Sequence, residues 1–123
     1  MKSYTDLEQS KKLAEILPIE SADMSWVSNG LGKPFARTIT IKGDPEELCG
    51  CWSLAALLEQ LDDEMTDENG NDYHLSIVKE SLQYQLYYHD SWGQVEDIET
   101  DYYDDLVDAC YEMIIKLHEQ NLL

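Results

Sequence analysis

Cys49-Gly50-Cys51-Trp52 is the first run in the chain whose residue types and spacing could carry a reaction. It is one residue short of the Cys-Gly-Ser-Cys-Trp surroundings of a cysteine-hydrolase nucleophile. It also precedes a helix-forming stretch, so Cys51 would sit near a helix N-terminus, where the dipole favours thiolate. Such chemistry needs an imidazole base and a polar group to orient it. His74 and His89 are the candidate bases, but no Asn or Asp is positioned by spacing to orient either, and His89 shares a strand face with Gln83 and Gln85. Trp52 and the Leu run after it have the composition of a core. A buried structural thiol therefore accounts for Cys51, and no catalytic residue is assigned. Cys49, Cys51 and Cys110 are odd in number, and the first two stand too close for a relaxed mutual disulfide, which points to reduced thiols.

Metal chemistry has a second set of candidates. Asp62, Asp63, Glu64, Asp67, Glu68, Asn69 and Asp72 offer hard oxygen ligands within one stretch. The calcium-loop pattern fails there: with Gly70 at the sixth position, Met65 falls where Asp is needed and Ser76 where a bidentate Glu is needed. Cys49, Cys51, Cys110 and His118 lack the two-residue spacers of zinc knuckles, and Cys110 belongs to an apolar stripe. No metal or other cofactor is assigned. The one Gly-Leu-Gly leads into Lys33-Pro34 rather than a helix start, so it does not read as a phosphate loop.

Charge is the strongest signal. Residues 1–43 hold five acids and six bases, whereas residues 44–123 hold twenty-one acids and only Lys79 and Lys116 as bases. A field of that sign repels phosphate backbones and anionic membrane surfaces and attracts basic protein surfaces. Asp105, Asp108, Glu112 and Glu119 recur along one side of a C-terminal helical stretch. Over a rise of about 1.5 Å per residue these four span about 21 Å, far sparser than duplex DNA at about one charge per 1.7 Å. Mimicry of a phosphate row would need Asp62, Asp63, Glu64, Asp67 and Glu68 as well, together with Glu96, Asp97, Glu99 and Asp101. A solvated helix face on an acidic protein is the plainer account. Tyr87, Trp92, Tyr102 and Tyr103 are interleaved among these acids, as in a protein-binding rim, although aromatics near strand ends also close cores.

The elements that must position these groups follow from periodicity. Tyr4 to Leu17 reads as a helix stopped by Pro18, and a hairpin pairs about 24–28 with about 35–42 through the Asn29-Gly30 turn. Asp44-Pro45 opens a turn that Gly50 interrupts. Ser53 caps a second helix with Leu54, Leu57, Leu58 and Leu61 on one face, and residues 62–72 form an acidic loop. Residues 73–78 and 82–89 alternate as half-buried strands, a turn near Asp90 to Gly93 leads to a strand near 95–99, and a helix of about seventeen residues begins near Tyr102. Its apolar stripe is Leu106, Cys110, Met113, Ile114 and Leu117, and Glu112 is spaced to pair with Lys116. The expectation is one α+β domain over residues 1–123. Its sheet should be mainly antiparallel, with about five strands and three helices in the order α-β-β-α-β-β-β-α. No apolar run approaches a membrane span or a signal peptide, so no membrane partner and a cytoplasmic location are expected.

Three blocks, EQSKKLAEILPIESADM (8–24), CWSLAALL (51–58) and DACYEMIIKLHEQNLL (108–123), resemble a family of small proteins encoded in prophages and mobile elements of gut bacteria. They cover about a third of the chain. No activity is known for that family, so the resemblance implies a genomic setting and no site. In the family a proline-containing turn follows the Leu-rich helix, and Leu61-Asp62-Asp63-Glu64 stands there instead, which implies a longer helix and an altered loop.

Three functions are compatible with these residues. The leading one is a small non-enzymatic interaction protein of a mobile element, whose acidic face binds a basic host or phage protein. Its sharper version is a DNA mimic. The enzyme alternative is a papain-like cysteine hydrolase using Cys51. Direct nucleic-acid binding is not expected, because only Lys2, Lys11, Lys12, Lys33, Arg37 and Lys42 could meet phosphates and they are diluted over 43 residues. A duplex-DNA mobility shift at physiological salt should show no complex at sub-micromolar protein; a shift there would overturn the charge argument.

Overall fold

Asp6 accepts a hydrogen bond from the Gln9 amide (2.8 Å) while the Gln9 side chain accepts from the Asp6 amide (3.1 Å). This capping box starts helix α1, Leu7–Ala14, in the computed structural model, which describes residues 2–28, 30, 32–38 and 44–123. A 3-10 turn, Ile19–Ser21, follows Pro18. Strands β1 (Met24–Val27), β2 (Phe35–Arg37) and β3 (Glu47–Cys51) form an antiparallel sheet in the order β2-β1-β3. Ser53 caps α2, Leu54–Glu59, its hydroxyl accepting from the Ala56 amide at 3.2 Å. Strands β4 (Glu64–Thr66), β5 (Asp72–Glu80), β6 (Gln83–Asp90) and β7 (Ile98–Glu99) make a second antiparallel sheet in chain order, and α3, Leu106–Glu119, closes the fold.

The class is α+β, as the periodicity implied, with three helices in the expected places. The sheet is two sheets, however, and the strands number seven among the described residues. β3 occupies the segment read as a turn, and β4 lies inside the segment read as an acidic loop. The second helix ends at Glu59, with the Leu61 amide turned back to the Leu58 carbonyl at 3.1 Å, so the Asp62-Asp63-Glu64 run does not lengthen it. α3 starts later than Tyr102 because Tyr103 is held extended by a reciprocal backbone pair with Tyr84 (2.7 and 2.9 Å). The second half of the expected 35–42 strand and Asn29 of the expected turn lie outside the described residues.

The core lies between α3 and the second sheet. Leu86 and Tyr88 of β6 are fully buried, as are Val107, Cys110, Met113 and Ile114 of α3, Leu13 of α1, and Trp52 and Leu57. With the helix beginning at residue 106, Val107 and Ala109 enter the core while Leu106 packs at its margin. The alternation on β6 turns Tyr87 and His89 to the opposite, outer face, where both are half-buried. Among the described residues no helix is long and apolar enough to cross a membrane.

The N-terminal segment is stitched into the junction of β3 and α2. Thr5, fully buried, donates its amide to the Trp52 carbonyl (3.0 Å), and its hydroxyl accepts from the Trp52 amide (3.1 Å) and meets Ser10 Oγ at 2.7 Å. Trp26 Nε1 donates to the Thr5 carbonyl at 3.2 Å. Gly50 is required at the same junction for close approach: a Cβ there would stand 2.9 Å from Ala22 Cβ and 3.1 Å from Ile19 Cδ1. Gly50→Ala should therefore lower stability by about 1–3 kcal/mol, the usual cost of overpacking, as read by urea unfolding. An unchanged midpoint would contradict the packing described.

Candidate functional site

Cys51 ends β3 two residues before the Ser53 cap of α2, near a helix N-terminus as expected, but its thiol is fully buried. Its polar neighbours are the Thr5 hydroxyl (3.8 Å) and the Thr5 carbonyl (3.5 Å). Burial pushes the Cys51 thiol up, outweighing the hydrogen bonds from Thr5 and Ser10 that favour thiolate. Burial likewise pushes Cys110 up to about 12. His74 and His89 are not near-neighbours of this thiol in its hydrogen bonds. They face each other across β5 and β6 on the outer face of the second sheet, ring centroids 5.9 Å apart, with Tyr87 beside His89 and Glu64 3.4 Å from His74 Nδ1.

The acids singled out from the sequence divide into two groups. On α3, Asp105 accepts from the Lys2 amide at 2.8 Å. Asp108 takes an ion pair from Lys2 Nζ at 2.7 Å and a hydrogen bond from Gln9 Nε2 at 2.8 Å. Desolvation opposes the charge on Lys2, but the hydrogen bond and charge of Asp108, with Asp6, outweigh it and hold the Lys2 pKa above its ordinary value. Glu112 accepts from the Asp101 amide at 3.0 Å and pairs with Lys116 at 3.7 Å, as its spacing implied, while Lys116 also donates to the Glu99 carbonyl at 2.7 Å. Burial, together with Glu112, pushes the neighbouring Tyr103 phenol up to about 12. Three of the four helix carboxylates are thus held by the protein's own groups, and Glu119 alone stands exposed. They are therefore not the wholly solvated helix face that their spacing suggested, since Asp105, Asp108 and Glu112 are half-buried.

The 62–72 segment differs. Asp67 is internal to its turn, accepting from the Asn69 and Asn71 amides (both 2.9 Å), from Asn71 Nδ2 (3.0 Å) and from the Tyr73 hydroxyl (3.3 Å). The hydrogen bonds from Asn71, the largest influence, hold its carboxyl below the usual carboxylate range. Asp62, Asp63, Glu64 and Glu68 are exposed. Among the aromatics expected at a rim, Trp92 is 78% exposed on the 90–93 turn, whose Ser91 amide is hydrogen-bonded to the Asp72 carbonyl at 3.0 Å. Trp92 therefore stands beside the acidic hairpin. Tyr102 is exposed elsewhere, reaching Glu80 at 3.4 Å.

Two clefts open on the same end of the molecule. One, of about 340 Å³, lies between the turn after α1, the ends of α2 and α3, and Met65; the other, of about 210 Å³, lies between Asp67, Glu68 and the 120–122 turn, and Leu122 lines both. Periodicity could not find this concavity, because its walls come from distant segments. Among the described residues no group of three or more His, Cys, Asp or Glu is arranged to hold a metal ion. No protein-family model, curated protein or solved structure matches the chain.

Folded protein should alkylate slowly at Cys51 and Cys110, since both thiols are buried and their pKa values raised. Iodoacetamide labelling followed by peptide mapping should modify them only on unfolding. Rapid stoichiometric labelling of Cys51 with a kinetic pKa near about 6 would return it to candidacy as a nucleophile.

Proposed function

We propose that the chain is a small acidic, non-enzymatic protein-binding module that acts in the cytoplasm and recognises a basic surface on a host or phage protein. The observation that carries this reading is the difference between the two groups of acids. Asp105, Asp108 and Glu112 are engaged by Lys2, Gln9, Lys116 and backbone amides, whereas the carboxylates of Asp62, Asp63, Glu68 and Glu119 are exposed and have no such partner among the described residues, Asp62 and Glu68 each lining a cleft. An exposed Trp among one-sign charges suits an interface anchor with a charged rim that steers association. The mobile-element setting implied by the resemblance fits a protein that acts on another protein.

The mimicry version is the weaker one, because an α3 row of carboxylates occupied by internal partners cannot stand in for phosphates. The hydrolase alternative rests on Cys51, and its buried thiol gives it no support.

The test is a pull-down with the full chain as bait, at low and high salt. Capture should fall steeply as salt rises, because exposed charges more than about 10 Å apart are screened at 0.1 M. A variant carrying Asp62→Asn, Asp63→Asn, Glu64→Gln and Glu68→Gln should keep its melting temperature and lose at least about tenfold in affinity, since each exposed pair lost is worth a fraction of a kcal/mol. A variant carrying Asp105→Asn, Asp108→Asn and Glu112→Gln should instead melt earlier and, where folded, still capture. Equal capture by the wild type and the 62–68 variant would contradict the proposal.

A further inference from the structure

A sheet edge is closed when its outward amides and carbonyls have partners and open when they do not. At the β7 edge α3 closes them: Lys116 Nζ donates to the Glu99 carbonyl at 2.7 Å, and Glu112 accepts from the Asp101 amide at 3.0 Å. The β4 edge has no such cover. The Leu75 amide donates to the Asp63 carbonyl (2.9 Å) and the Asp67 amide to the Asn71 carbonyl (3.0 Å), so the bonded pairs of this ladder are 63 with 75, 65 with 73 and 67 with 71. Glu64 and Thr66, which alternate with them, turn their amides and carbonyls away from β5, and no described residue is bonded to those four groups. Both residues are exposed. Asp72 pairs with Thr66 and shares its outer face, the two side chains bonded at 2.7 Å, while Met65 faces inward and is half-buried. Residues 59–78 contain no Lys or Arg.

From this arrangement we infer that β4 is the docking edge for an extended basic segment of the partner protein, which adds to the second sheet as a fifth strand. Backbone bonds to Glu64 and Thr66 attach it, and its alternate side chains select it. A Lys or Arg opposite Glu64 meets a carboxylate, and a second opposite Thr66 meets Asp72. The residue between them, opposite Met65, is apolar. The recognised pattern is therefore basic, apolar, basic. A second copy of this chain suits the edge poorly, because each copy carries a net charge of −18. This strand addition rests on the proposed recognition of a basic protein and supplies its mode of attachment.

The experiment is a low-salt NMR titration of the isotope-labelled full chain with two synthetic pentapeptides of alternating lysine and valine, one of them N-methylated at its lysine amides. At saturation the unmodified peptide should shift the Glu64 and Thr66 amide signals and slow their exchange at least about tenfold, whereas the Met65 amide, already bonded to β5, should change little. The N-methylated peptide, equal in charge, should bind at least about tenfold more weakly, because two backbone hydrogen bonds are lost. Thr66→Pro removes an outward amide and no ladder bond, so it should weaken the unmodified peptide by a similar factor while the chain still melts cooperatively. Equal binding of the two peptides, or shifts centred outside residues 62–68, would overturn the inference. A dimer that protects Glu64 and Thr66 without peptide would give the edge to a second copy and overturn it too. The two readings separate in a parallel pull-down. Salt-sensitive capture by wild type, with both peptides bound equally, removes the strand addition and keeps the basic partner; no capture at any salt removes the partner reading, whatever the titration gives.

Discussion

Thr5 is the constraint on which the arrangement depends. It is a fully buried polar residue, and its amide, carbonyl and hydroxyl all find partners at the junction of β3 and α2. Removing such partners would leave buried polar groups unsatisfied, each costing about 1–3 kcal/mol, so the N-terminal segment is committed to this path. With Thr5 fixed, Lys2 arrives at the start of α3 and Gln9, one turn into α1, reaches Asp108. The start of α1 therefore lies beside the start of α3, and the turn after α1 shares a cleft with the end of α3. The two helices run in the same sense.

That alignment sorts the charge. One end of the helix pair receives Lys2, whose ammonium offsets part of the charge of Asp6 and Asp108 and whose amide is bonded to Asp105. The other end receives the negative ends of the helix dipoles together with Glu59, Asp62, Glu68 and Glu119, and no base lines its clefts. A chain with twenty-six acids and eight bases must leave most carboxylates unpaired, and Glu59, Asp62 and Glu68 are the exposed ones that line the two clefts. The self-repulsion this entails is tolerable because the acids are exposed and screened, and it is relieved when a basic surface docks.

Much of the scaffold was legible in the sequence. Ser53 as a cap, the alternation of β5 and β6, the Glu112–Lys116 pair and the α3 stripe are local patterns, and local patterns survive folding. β3 was hidden by Gly50, which reads as a breaker in isolation and is required for approach to Ala22 and Ile19. β4 was hidden because Glu64-Met65-Thr66 has one apolar residue; pairing with β5 makes it a strand, Met65 opposite Tyr73. The division into two sheets, with β3 paired to β1 and not to the later strands, is a matter of long-range pairing that no periodicity reports. The acids illustrate the same limit: spacing placed Asp105, Asp108 and Glu112 on one side of α3, but only the path of Lys2 and Gln9 decides that they are occupied.

Recognition at the end where α2 and α3 terminate is open to one direct measurement. Hydrogen exchange of the full chain, free and bound to a captured basic partner, measures this directly. Exchange should slow at residues 59–68 and 117–122, with 102–112 and the outer faces of β5 and β6 unchanged. Slowed exchange centred on 102–112, with 59–68 unaffected, would contradict it.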